Sequence, residues 1–110
     1  MSAVKYITRS NGEKYPVRYD VNAYCHFEDV SGGKSLLRGM AELDVRFMRA
    51  LVYVGLYCGA EYEKKEFKLT LQDIGRWDDL LTNIFTDCSA ILKEMSGKEK
   101  PGEDKEPGER

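Results

Sequence analysis

Asn11-Gly12-Glu13-Lys14-Tyr15-Pro16-Val17-Arg18-Tyr19-Asp20 is the stretch on which the fold turns. Asn-Gly is the strongest short hairpin signal, because a type I′ turn needs positive φ at two successive residues. A two-residue loop sets the pairing: Thr8 opposite Tyr15, Tyr6 opposite Val17 and Val4 opposite Tyr19. Period-2 geometry then gathers those six residues on one face. Lys5, Ile7, Arg9, Lys14, Pro16 and Arg18 form the other face, which reads as the solvent side. Pro16 falls on a non-hydrogen-bonded pair, so the N–H it lacks would have pointed away from its partner. That makes the second strand an edge and leaves the outer side of the first strand free. A lone hairpin is marginal in water, so its aromatic face is expected to pack on helices or on another subunit.

Helices are predicted on the far side of Asp20. This residue is placed to N-cap a helix from about Val21 to Ser31, ended by Gly32-Gly33, with Ala23, Tyr24, Phe27 and Val30 as its apolar stripe. A short helix follows Ser35 and carries Leu36, Leu37 and Met40. Asp44 caps a longer one reaching about Tyr57 and closed by Gly59. Val45, Phe47, Met48, Leu51, Val52, Val54 and Leu56 make it apolar almost all round, the mark of a central, buried helix. Residues 61 to 68 are mostly charged and read as loop or frayed turn. Thr70-Leu71-Gln72-Asp73 has capping-box spacing and opens a short helix with Leu71 and Ile74 inward. The last helix, about Asp79 to Met95, has the cleanest period: Leu80, Leu81, Ile84, Phe85, Cys88, Ile91, Leu92 and Met95.

Composition bounds the function. The 110 residues are 42% apolar and 33% charged, with a net charge of −2 from 17 basic and 19 acidic side chains. A near-neutral chain has no general pull on a phosphate backbone, so no nucleic-acid partner is expected. No apolar run approaches the roughly 18 residues that span a bilayer, and no signal peptide opens the chain, so no membrane association is expected. Residues 1–96 read as a single domain. From Gly97 to Arg110 every residue is Gly, Pro or charged, and such a segment cannot offset its ordering entropy, so it reads as a disordered tail. Cys25, Cys58 and Cys88 match no C-x-x-C pattern and read as small buried hydrophobes in a reducing compartment.

Several local patterns imitate chemical sites without completing them. Gly32-Gly33-Lys34-Ser35 resembles the end of a phosphate-binding loop, but Glu28 occupies the first-Gly position, five before Gly33, and the preceding segment reads as helix. It is better read as helix end, turn and new N-cap. His26 is the only histidine, and its neighbour Cys25 points about 100° away on a helix, so it reads as structural. Glu28 and Asp29, like Asp78 and Asp79, read as solvated faces and caps. Arg46 and Arg49, three apart on the third helix, suit phosphate by spacing but are expected to pair with the domain's own acids. No catalytic, cofactor or metal site is expected.

Four patterns in order resemble one family, the tail assembly chaperones of long-tailed bacteriophages and gene-transfer agents. They are Asn11 to Asp20; Asn22-Ala23 with Phe27-Glu28 and Gly32; Leu43-Asp44-Val45-Arg46-Phe47-Met48-Arg49-Ala50-Leu51-Val52-Tyr53-Val54-Gly55-Leu56; and Leu69-Thr70-Leu71-Gln72-Asp73-Ile74-Gly75. Together they cover about residues 11 to 75. Phe47 departs from the family pattern, which more often has a charge there, and marks a changed packing surface. The resemblance implies a non-enzymatic factor of the bacterial host cytoplasm, absent from the mature virion. It implies binding to the tape measure protein and assistance to the tail-tube protein, with self-association as a homo-oligomer.

The expected fold is therefore α+β, an N-terminal β-hairpin packed on four or five helices. The candidate protein-binding residues are Tyr6, Tyr15, Val17 and Tyr19 of the hairpin face, Phe47, Tyr53 and Tyr57 of the third helix, and Trp77. An amphipathic client helix would lie against such a surface. The alternative reading is a small DNA-binding or transcriptional adaptor domain, since short helices with Gly-containing turns imitate helix-turn-helix.

Overall fold

The computed structural model describes residues 4–98 and has the expected α+β architecture. Strands β1 (Lys5–Thr8) and β2 (Lys14–Val17) pair antiparallel as an N-terminal hairpin. The register is one residue from that expected. Ile7 lies opposite Tyr15, Tyr6 opposite Pro16 and Lys5 opposite Val17. The cause is the loop, which holds three residues, Ser10-Asn11-Gly12. Arg9 N–H donates to the Glu13 carbonyl at 2.7 Å and Gly12 N–H to the Arg9 carbonyl at 2.9 Å. Gly12 alone in this loop has positive φ, 91°. That is a type I turn closed by a G1 bulge, the usual three-residue solution. Asn11 contributes its side-chain oxygen, which accepts from Glu13 N–H at 3.0 Å.

One extra loop residue turns the first strand over. Ile7 is 2% exposed and Tyr6 49% exposed, the reverse of the expected faces. Pro16 is compatible with either register, because its distance from the closing residue Glu13 is the same in both and so is its non-hydrogen-bonded parity.

Helices α1 (Val21–Val30), α2 (Leu36–Glu42), α3 (Val45–Tyr62), α4 (Leu71–Gly75) and α5 (Phe85–Lys98) follow, with a π-helical turn at Leu80–Ile84 running into α5. The caps are those the sequence predicts. Asp20 accepts from Ala23 N–H, Ser35 from Arg38 N–H and Asp44 from Phe47 N–H. Thr70 and Asp73 form a complete capping box, which lowers the Asp73 carboxyl below its ordinary value through the Thr70 backbone and hydroxyl. Gly32 and Gly33 turn the chain between α1 and α2 with φ of 74° and 99°. The polar segment expected to be disordered lies outside the described residues from position 99 onward, and α5 includes 97 and 98.

Helix α3 is central, touching β2 and every other helix. It does not stop at Gly59 but continues to Tyr62. Gly59 is spent on packing instead: a Cβ there would run into the Pro16 carbonyl. Gly55 makes room in the same way for the Tyr19 ring. The bare helix surface thus lets β2 lie directly on α3, and Arg18 N–H reaches the Gly55 carbonyl at 3.1 Å. Tyr19 drives into the gap and donates its hydroxyl to the Leu51 carbonyl at 2.7 Å.

Candidate docking surface

Three of the eight candidate binding residues are core. Val17, Tyr19 and Phe47 are 0%, 1% and 4% exposed, so they offer no surface to a partner. Phe47 fills the interior between α1, α2 and α5, edge-on to Phe27 at 5.7 Å and Phe85 at 6.1 Å, over the bare Cα of Gly39. A charge at position 47 would have no solvent there.

Tyr15 and Trp77 come together, with ring centroids 5.4 Å apart, and the Arg9 guanidinium lies 4.3 Å from the Trp77 centroid. Arg9 ties the hairpin to the π-turn through Asp79, with Nε and Nη2 both 3.3 Å from Oδ1. Ser10 N–H completes the carboxylate at 2.8 Å. Asp79 is 3% exposed, not the solvated face expected of it. Burial pushes its carboxyl up, but the Ser10 and Asp79 N–H groups and Arg9 outweigh that and leave it below the usual value. Trp77 and Tyr15 are therefore half-buried struts.

Tyr53 and Tyr57 form a second cluster with Phe67 and His26. His26 stacks on Tyr53 at 5.7 Å and on Tyr57 at 4.5 Å, and its Nε2 is buried with no partner among the described residues. Burial raises the Tyr53 hydroxyl above its ordinary pKa, as does Tyr57 beside it. Tyr6 is exposed but tethered, donating to Glu63 at 2.5 Å with Lys65 over its ring. Among the described residues the outer edge of β1 has no strand partner, and a groove runs between it and Asp87, Ala90 and Ile91 of α5.

Among the described residues, five of the eight exposed large apolar side chains lie on α2, at the start of α3 or on the π-turn. Leu37 is 72% exposed, Met40 39%, Leu43 50%, Val45 60% and Leu81 52%. Leu37 and Met40 share one face of α2 by their spacing. Leu43 is held in a left-handed conformation, φ 46°, as α2 gives way to α3. Val45 and Leu81 line one groove of about 530 Å³ with Leu80 and Trp77, between α3, the end of α4 and the π-turn. The sequence pattern places Leu81 on the apolar stripe of the last helix. The π-turn corrects this: its wider turn keeps Leu80, Ile84 and Cys88 buried and swings Leu81 out.

Arg46 and Arg49 stand on this groove and on the adjoining one lined by Phe27, Val30, Lys34, Phe47 and Leu71. The expected ion pairs are not formed. Among the described residues Arg9, Arg18, Arg38 and Arg76 each pair with a carboxylate, while Arg46 and Arg49 pair with none.

Cys58 and Cys88 are buried as expected, and Cys25 is exposed. Burial pushes both inner thiols up to about 12. Among the described residues no group of three His, Cys, Asp or Glu is placed to hold a metal ion, and no helix is long and apolar enough to cross a membrane.

These features define a small α+β domain with exposed apolar side chains near the start of α3, beside two arginines that pair with no carboxylate among the described residues. Comparison with protein-family models, curated proteins and solved structures finds no match for the chain.

Proposed function

We propose that the protein acts by binding, as a tail assembly chaperone that shields the apolar stripe of the tape measure protein and assists tail-tube assembly in the host cytoplasm. The observation that carries this reading is the concentration of exposed Leu37, Met40, Leu43, Val45 and Leu81 around one end of α3. Val45 and Leu81 line one groove, and exposed apolar side chains brought together in this way mark an interaction site. The ordered likeness of residues 11 to 75 to such chaperones supports it. Of the candidate binding residues that remain accessible, Trp77 lines the groove with Val45 and Leu81, while Tyr6, Tyr15, Tyr53 and Tyr57 are held by contacts within the domain. In this reading the bound factor leaves before the virion is complete, and no bond is made or broken.

Co-expression tests it directly. The tape measure protein made alone is expected in the insoluble fraction, and with this protein a substantial share is expected in the soluble fraction as a co-purifying complex. An unchanged soluble share refutes the reading. Light scattering tests self-association separately: a mass that stays at one chain across rising concentration removes the homo-oligomer and leaves the client claim in place.

A further inference from the structure

The unpaired arginines say more about the partner than the greasy patch does. The groove between α3, the end of α4 and the π-turn has an apolar floor of Val45, Leu80, Leu81 and Trp77. Arg46 and Arg49 stand on its wall one helical turn apart. Asp78 is the carboxylate among its lining residues; it is 88% exposed and lies 3.7 Å from Arg9. Lys34, in the adjoining groove, is committed to Glu42 and to Asp44 at 3.9 Å. Among the described residues these two guanidiniums therefore have no carboxylate partner, although the other described arginines are paired.

We propose that this groove is a docking site for an amphipathic helix carrying carboxylates one turn apart beside an apolar ridge. A ridge at i, i+3, i+4 and i+7 fits the floor between α3 and the π-turn. Carboxylates at i and i+3 or i+4 meet guanidiniums held at the same spacing, in the geometry that favours two-pronged Arg–carboxylate bonds. Half-burial of Arg49 beside Gly75 removes part of its freedom before binding, so less is lost on contact. A nucleic-acid backbone is the poorer match: it presents no apolar ridge to cover Val45 and Leu81, and binding there would add to few other free cations.

As an account of where the client binds, this rests on the chaperone reading; the chemistry of the groove does not. The probe is a labelled synthetic helix with a leucine ridge and glutamates one turn apart, compared with the same peptide carrying lysines instead. Fluorescence anisotropy against the full-length protein is expected to favour the acidic peptide by on the order of tenfold or more, with the preference narrowing as salt rises. In the R46E/R49E variant the preference is expected to reverse toward the lysine peptide, a gain that unfolding cannot produce. Equal binding of both peptides, an unreversed preference in the variant, or displacement of the acidic peptide by duplex DNA overturns the proposal. Co-expression separates the two readings. A client solubilised equally by wild type and R46E/R49E refutes the groove as the client's site and spares the chaperone. A reversal with peptides beside an unaided client supports the groove and refutes the chaperone.

Discussion

The two ends of helix α3 handle the same apolar residue types in opposite ways. Toward its C-terminus Val52, Val54, Leu56 and Cys58 are at most 4% exposed, and Gly55 and Gly59 strip the helix so that β2 and Tyr19 can press against its backbone. Toward its N-terminus Val45 is 60% exposed, α2 is only seven residues long, and Leu37, Met40 and Leu43 are exposed. The difference lies in what covers the helix. At one end a hairpin, α1 and α5 converge, and at the other a short helix supplies more apolar side chains than it can bury. Tight packing sustains the fold at the first end, and apolar area at the second is left for another chain.

The closely packed end should break most severely. In Gly59→Leu the side chain has no path past the Pro16 backbone, so β2 must leave α3, and the domain is expected to lose its cooperative unfolding transition by circular dichroism. Gly59→Ala already costs about 3 kcal/mol, because a backbone contact cannot rotate away, partly offset by about 1 kcal/mol of helix propensity. Gly75→Ala sharpens the contrast. Its nearest neighbour is the flexible Arg49 side chain at 3.3 Å, and stability is expected to stay within about 0.5 kcal/mol.

Alkaline pH attacks the same region from inside. Cys58 and Cys88 are raised to about 12, and Tyr19 is raised well above 10, chiefly by burial. A group whose folded pKa is raised releases its proton more readily once unfolded, so its contribution is complete below the unfolded value and declines above it. Stability is expected to fall steadily from about pH 9 upward. The native protein at pH 8 should release one rapid equivalent in a thiol assay, from exposed Cys25, and the other two only on unfolding.

Much of this core was legible beforehand, because caps and periods are local. Asp20, Ser35, Asp44 and Thr70 each cap the helix their position announces. What was not legible depended on distant partners. Nothing beside Asn11-Gly12 says whether two or three residues close the loop, yet that choice turns β1 over. Gly59 looks like a helix stop until Pro16 is seen against it. Phe47, Val17 and Tyr19 look like anchors until the elements around them close. The docking groove was the least legible of all. Val45 and Leu81 are 36 positions apart in the chain, and a π-turn with no sequence signature brings Leu81 to the surface.

Asp79 ties the hairpin to the π-turn, and its loss is expected to have an intermediate effect. Asp79→Ala strands the Ser10 N–H and leaves Arg9 with only Asp78 at 3.7 Å and Glu13 at 3.6 Å. About 2 kcal/mol of stability should go. The pH dependence distinguishes a charge effect from a cavity. Because the folded carboxyl titrates below its unfolded value of about 3.9, its contribution is present above that pH and lost as pH falls through the folded value. Wild type and variant should therefore converge in urea melts as pH falls through the folded value, whereas a packing defect would keep them apart at every pH.

The smallest effect on folding should come from the exposed end, and there the smallness is the point. Val45→Ser with Leu81→Ser removes apolar groups that solvent already reaches, so urea midpoints are expected to move by less than about 0.5 kcal/mol in equivalent stability. The same double variant should bind the acidic amphipathic peptide several-fold more weakly, since both residues form the floor on which its ridge would rest. A large loss of stability would show that these side chains serve the domain's own structure, and the contrast between the ends of α3 would collapse. Unchanged stability with weakened binding would assign the apolar surplus at this end to a partner.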